Sequence, residues 1–435
     1  MFNPNVGPSS APTNLNGYPM DLILYAIPFF FLLIFLEIGY GFARGRNTYR
    51  VNDTINSLSM GSLSRLQGLV ILGISGGLYE VIVQQYQLTQ LPGDEAWVWV
   101  SCFVLYDFAY YWKHRWGHEV ALFWGSHVAH HQSENYNLST ALRQSSIDFY
   151  GFLFYLPFFF LGFPAEVLFT CVSLNLIYQF WIHTEHVPKL GIFEWFFVSP
   201  SNHRVHHGRN SIYVDKNYGG FLILWDRLFG SFQEELESEP VVYGLRKPLN
   251  SWNPLWANIH VYWRLCQDIM KAPGLSNKFK QAFMPPGWQP AGLKTSCKAK
   301  PAEELNQRYN PPITTFLSSY VLIQFVFATG LGLTLIIDAA EISSPILWLS
   351  VAVQAFSLYV LGGWMEANER ILVLETIRVA ALVVCCVVLL SSSVAIVLCV
   401  SFLGISLAVV GFSKSWFEQK VGLSKARNPI SSAAL

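Results

Sequence analysis

The chain has 435 residues, of which 13% are charged and 52% hydrophobic, about half the charge of a soluble globular protein. Its 28 basic and 28 acidic residues cancel, which removes the basic footprint expected of a nucleic-acid-binding protein. Seven cysteines, an odd number with no CxxC, argue against a disulfide framework or a thiolate metal site.

Residues 1–20 are rich in Pro, Asn, Gly and Ser and read as a disordered N-terminus. They carry no basic n-region, so 21–42 is expected to be a retained span and not a cleaved signal peptide. Further apolar stretches at 66–84, 96–112, 150–182, 313–337, 345–363 and 379–412 approach or exceed the ~20 residues that cross a bilayer. As one helix, 150–182 would be roughly 50 Å long against a hydrocarbon core of about 30 Å. Pro157 and Pro164 interrupt it, which predicts a hairpin of two helices. Ser391–Ser393 interrupts 379–412 and predicts a second pair.

Lys and Arg are absent before Arg44, from 66 to 112 and from 309 to 369. Their alternation with the spans puts all 28 on one side, the cytoplasm by the positive-inside rule. The predicted fold is therefore all-α: a polytopic helical bundle with a cytosolic histidine-rich cap. Its divisions are a membrane region over 21–312 that carries the cap, a C-terminal transmembrane bundle over 313–412 and a cytosolic tail over 413–435. The topology suits the endoplasmic reticulum of a eukaryote or the inner membrane of a bacterium. Within the cap, 222–229 reads as a short interfacial helix or as a packed loop over the site, and 267–312 as an irregular linker.

Ten of the eleven histidines fall between His114 and His207. They come in boxes: HRWGH with His114 and His118, HVAHH with His127, His130 and His131, HTEH with His183 and His186, and HRVHH with His203, His206 and His207. Side chains three or four apart on a helix share a face, so each box is expected to aim its imidazoles at one point. Neutral imidazole suits Zn, Fe, Cu or Ni, and one tetrahedral zinc takes four ligands. Ten imidazoles thus point to two metal ions. His260 stands apart and reads as no ligand.

Asp107 shares a helical face with Tyr111, His114 and His118, in an apolar stretch where a carboxylate is costly unless paired. It is expected to hydrogen-bond a box histidine and orient it. Glu119 is open to three roles: ligand, acid/base or ion-pair partner of Arg115. Tyr110 and Tyr111 read as interfacial belt residues.

These boxes on a membrane scaffold resemble the fatty acid hydroxylase and sterol desaturase superfamily. The resemblance is carried by HRWGHEVALFWGSHVAHHQSENYNLSTALRQS at 114–145, NLIYQFWIHTE at 175–185, SNHRVHHGRNSIYVDKNYGGFLILWDRLFGSF at 201–232 and VYGLRKP at 242–248. It is strong over most of 20–290 and closest to the ether-lipid-cleaving branch of the superfamily; His186 departs from the pattern. The resemblance implies two iron ions, O₂, a lipid substrate hydroxylated at its ether-linked carbon, and tetrahydrobiopterin as electron donor. No dinucleotide-binding or haem-attachment motif is visible, which fits an outside donor. Sterol, sphingolipid or fatty-acid hydroxylation or desaturation is the near alternative. A histidine-rich metal transporter is the remote one, because the boxes cluster on one side and not at the bilayer midplane.

Overall fold

The computed structural model describes residues 22–291, 308–339, 341–368, 371–390 and 392–427, without the side chains of 70–80, 83, 84, 410 and 412–427. The N-terminal 1–20 region, the end of the tail and 292–307 of the expected linker lie outside the described residues. Among the described residues there is no β-strand, only isolated bridges at Phe197–Leu222 and Gly208–Tyr243. The all-α expectation holds.

The helices before the first boxes are α1 (Leu22–Ala43), α2 (Val51–Gln85) and α3 (Ala96–Glu119). Short helices follow: α4 (Ala121–His127), α5 (Leu138–Ala141) and α6 (Leu156–Leu161), then α7 (Ala165–Trp181). The predicted break is present at Gly162–Pro164, where Gly162 adopts a left-handed φ of 90° and ends α6. Next come α8 (Pro200–His206), α9 (Leu224–Leu228), α10 (Pro254–Lys271) and α11 (Gly274–Phe283). The last two correct the irregular-linker expectation over 267–291. Their apolar residues recur at helical spacing, and the Lys and Pro content hid that period.

The C-terminal helices are α12 (Thr315–Ile337), α13 (Ser344–Met365), α14 (Ile371–Leu389) and α15 (Ser393–Arg427). The second predicted pair is therefore real. Helix α15 runs on through 413–427, so this part of the expected tail is helical.

Among the described residues four helices, Leu22–Ala43, Thr315–Ile337, Ser344–Met365 and Ile371–Leu389, are long and apolar enough to cross a membrane. They mark a multi-pass membrane protein. The expected spans at 96–112 and 150–182 do not join this set. Asp107 and Lys113 charge α3, and the break at Gly162–Pro164 leaves α6 and α7 short.

The chain divides into two compact units, one of residues 1–50, 70–248 and 258–307, the other of 51–69, 249–257 and 308–435. The first holds every histidine box. Its apolar core joins Val98, Cys102 and Tyr106 of α3 to Val167, Leu168 and Cys171 of α7 and to Phe158 and Phe159 of α6. The second packs Leu317, Tyr320 and Phe325 of α12 against Leu358, Leu361 and Trp364 of α13.

Candidate metal centre

The boxes are fixed by local chemistry that is visible residue by residue. His114 and His118 lie one turn apart at the end of α3. Helix α4 stops at His127, and His130–Gln132 form a single tight 3₁₀ turn. Helix α8 starts sharply because Ser199 and Asn202 cap it reciprocally, side chain to backbone in both directions, with Pro200 in the first turn. That start sets the rotation at which His203 and His206 leave the helix.

Nine imidazoles gather in two groups: His114, His118, His127, His131 and His206, and His130, His183, His203 and His207. Within each group the ligand nitrogens lie within 4.8 Å of one another. The groups abut, with the His131 and His207 rings stacked at 4.4 Å. The expectation that each box aims at one point holds for His114 and His118 and is corrected for the two HxxHH boxes. Neighbouring residues on a helix point about 100° apart, so each HxxHH box divides. His127 and His131 go to the group of five and His130 to the group of four. His203 and His207 go to the group of four and His206 to the group of five.

The protons on these rings can be assigned. His114 Nδ1 lies 2.8 Å from the Tyr218 carbonyl and His206 Nδ1 3.0 Å from that of Lys216. His130 Nδ1 lies 3.0 Å from the Arg143 carbonyl and His183 Nδ1 2.7 Å from that of Gln179. A carbonyl only accepts, so each of these Nδ1 atoms carries the hydrogen and each neutral Nε2 presents a lone pair.

Yet His130 Nε2 stands 3.2 Å from His183 Nε2, lone pair facing lone pair. In the other group, Nε2 contacts run His114–His127 at 2.9 Å, His127–His131 at 3.0 Å and His131–His206 at 3.1 Å. Neutral rings supply at most two protons, from His127 and His131, to three contacts. Extra protons are disfavoured: burial and the neighbouring imidazoles hold His183, His203 and His207 well below the ordinary histidine range, and burial holds His130 at about 4. Convergent neutral lone pairs that protons cannot satisfy are what a metal cation satisfies. His118 Nε2 and His203 Nδ1 are also buried without a hydrogen-bond partner.

His186 lies outside both groups. Its ring packs edge-on against Tyr40 at 5.1 Å. His260 also lies outside them, on α10. Glu119 belongs to neither group; it accepts from Arg115 Nε at 3.0 Å and from Tyr218 Oη at 3.2 Å, so the ion pair is the observed arrangement.

Asp107 does not meet a histidine, which corrects that expectation. Its buried carboxylate accepts from Asn175 Nδ2 at 2.8 Å, the Phe221 and Leu222 amides at 2.9 and 3.0 Å and Trp225 Nε1 at 2.9 Å. Asp107 lies seven residues, about two turns, before His114 on the same face of α3, and at that depth it meets the 218–226 loop and not an imidazole. That loop supplies the Tyr218 carbonyl to His114, and Asp226 holds it through the Tyr218 and Gly219 amides, both at 2.7 Å. The 222–229 stretch is thus a packed loop with one helical turn.

Tyr110 and Tyr111 are not belt residues: Tyr111 is fully buried with Oη 2.8 Å from Ser231, and Tyr110 Oη donates to Gln179 at 2.7 Å. Sequence reasoning also missed Glu37, a buried carboxylate of α1 that accepts from Thr184 Oγ1 at 2.5 Å, the Leu138 amide at 2.8 Å and Tyr49 Oη. A single carboxylate in an otherwise uncharged apolar run was the signal for it.

The fatty acid hydroxylase family profile matches residues 99–231. Alkylglycerol monooxygenase of Homo sapiens is 38% identical over 82% of this chain and 81% of its own length. The chain belongs to the alkylglycerol monooxygenase family. The Xenopus tropicalis member is 37% identical over 84% of this chain and 82% of its own, and that of Danio rerio 37% over 81% and 79%. No solved structure matches significantly. The shared family region contains every imidazole of the two groups. As a member of this family the chain is a metal-dependent, O₂-using lipid monooxygenase.

Proposed function

We propose that the protein is a diiron monooxygenase that hydroxylates the ether-linked carbon of an alkylglycerol, with tetrahydrobiopterin as external electron donor. The resulting hemiacetal collapses to a fatty aldehyde and free glycerol. One oxygen atom enters the C–H bond, the other leaves as water with two protons, and the pterin gives up two electrons. The observation that carries this reading is the pair of abutting, neutral imidazole groups within a chain of this family. Iron bound there would supply the O₂ activation. Apart from Arg378, which is buried within α14, the basic residues lie between or beyond the apolar runs, which supports a cytoplasmic site.

The protein's own contributions are tautomer control, water exclusion and substrate placement. Backbone carbonyls hold four rings with Nε2 inward. Burial of the surrounding rings excludes bulk water. Tyr110 packs on His114 at 5.4 Å and leads through Tyr106 and Tyr155 into the apolar core of α3, α6 and α7. An alkyl chain along that wall places its head-proximal carbons by the imidazoles, which favours an ether carbon over a mid-chain carbon.

The test is product analysis on the purified chain in vesicles with an alkylglycerol. Fatty aldehyde that appears only with iron, O₂ and tetrahydrobiopterin together is the expected result. Oxidation without the pterin, or of a sterol or ceramide alone, defeats the proposal.

A further inference from the structure

Helices α10 and α11 contribute nothing to the imidazole groups, yet they are fastened to one of the helices that does. Tyr262 Oη of α10 shares a hydrogen bond with Ser126 Oγ, and the Met284 carbonyl just beyond α11 accepts the Ala121 amide at 3.0 Å. These bonds take hold of both ends of α4, which carries His127. Gly125 lets the Tyr262 ring lie flat on α4, since a Cβ there would stand 2.6 Å from ring carbons.

The outward side of the same pair is apolar. On α10, Ile259, Trp263, Cys266 and Met270 follow at intervals of four, three and four and share one face. On α11, Leu275, Phe279 and Phe283 follow at intervals of four. Trp263 is 57% exposed, Met270 69%, Leu275 86% and Phe279 66%. Single exposed apolar residues are ordinary, whereas a stripe along two consecutive helices is not. Over 259–284 the charged residues are Arg264, Lys271, Lys278 and Lys280 against Asp268, four basic to one acidic. An apolar stripe with tryptophan and flanking cations matches an anionic lipid surface in both its parts.

We propose that α10–α11 lies in the plane of the membrane on an anionic lipid surface, with this stripe among the headgroups, and ties that surface to the His127 helix. This rests on the membrane reading of the chain. A substrate leaving the bilayer at this surface meets the helix that carries His127.

Cys266 is an exposed reporter within the stripe, and Cys102, Cys171, Cys385 and Cys386 are buried. The full chain with Cys297→Ser and Cys399→Ser, the latter because Cys399 is only partly buried, is labelled at Cys266 with an environment-sensitive fluorophore and placed in phosphatidylcholine vesicles with or without phosphatidylglycerol. The label is expected to shift to the blue, to be quenched by shallow nitroxide lipids more than by deep ones, and to resist iodide, with each effect larger when phosphatidylglycerol is present. Leu275→Glu with Phe279→Glu should open the label to iodide. It should also raise KM severalfold for vesicle-borne alkylglycerol, with kcat on detergent-dispersed substrate unchanged. A label open to iodide in the unsubstituted helices overturns the inference, and so does one shielded from iodide and nitroxide lipid alike, which would mean a protein surface such as a second copy. Retention of the chain by carbonate-washed membranes alongside either result leaves the membrane reading standing; loss of the chain to the wash removes that reading first.

Discussion

Replacing Asp107 separates the role of a loop anchor from that of a histidine partner. Its carboxylate accepts four hydrogen bonds among the described residues, from Asn175, Phe221, Leu222 and Trp225. In Asp107→Asn one oxygen still accepts, while the new NH₂ faces donors. Two bonds to a charged acceptor are lost, at about 1.5–3 kcal/mol each. The neutral side chain also escapes the cost of burying a charge, several kcal/mol. The two terms largely offset, so the melting temperature should move little. The geometry should not be spared: the Tyr218 carbonyl loses its backing and His114 its fixed tautomer. Loss of such support typically costs 10–100-fold in metal affinity or activity. Asp107→Leu leaves every donor unbonded, at about 1–3 kcal/mol each, and should fail on both counts. Iron per chain, turnover and thermal unfolding are measured on detergent-purified protein. Wild-type iron and turnover in Asp107→Leu would refute the anchor reasoning.

Three further changes test other parts of the structure. His203→Ala should abolish turnover and lower bound iron with insertion intact, while His186→Ala and His260→Ala should keep both, as read by metal analysis and product formation. Gly125→Ala drives a methyl group into the Tyr262 ring and should cost about 1–3 kcal/mol of stability, checked by thermal unfolding; an unshifted transition would mean that α10 yields freely. In the C-terminal unit, Arg378→Met strands the buried Glu375 and should cost about 3–5 kcal/mol, much of it recovered by adding Glu375→Leu, with thermal unfolding as the measure; a double variant as unstable as the single would refute the cost of a stranded charge.

Much of the fold was legible because apolar runs near bilayer length have few alternatives. The two breaks could be read from Pro164 and from Ser391–Ser393 for the same reason. The histidine spacing pointed to two metal sites, though nine of the ten imidazoles gather and His186 stays outside both groups. The spacing did not show which histidine serves which site, because adjacent residues diverge around a helix and the choice belongs to tertiary packing. Charges misled where they are buried. Arg378 counted as a marker of the cytoplasmic side, whereas it is fully buried against Glu375 and Gln324. Arg143 counted the same way, yet it is a strut under the boxes. The Asp107 pairing failed because helical spacing shows which residues share a face and leaves open what stands opposite it.

Three of the four carbonyls that orient rings are held by contacts that divide by group; the fourth, that of Gln179, lies within α7. Tyr218 is held by Asp226 and, through the 221–222 amides, by Asp107. Lys216 sits between two left-handed residues, Asp215 at φ 58° and Asn217 at φ 56°, and Asn217 is tied to the Asn202 and Gln233 carbonyls at 2.9 and 2.8 Å. These serve His114 and His206, in the group of five. The Arg143 carbonyl serves His130, in the group of four, and the Arg143 side chain returns to the Ala129 carbonyl at 2.7 Å and to Gln132 Oε1 at 2.9 Å. Arg143→Met removes that brace without touching an imidazole. It should weaken the group of four by the 10–100-fold typical of such support and leave the group of five nearly intact. Under a graded chelator challenge, bound iron should therefore fall in two separate steps, the first at lower chelator than in the parent chain. Asp107→Asn should advance the other step. A single step in both variants, at the same chelator concentration, would show that the two groups bind and release metal as one unit and that the division of braces has no energetic consequence.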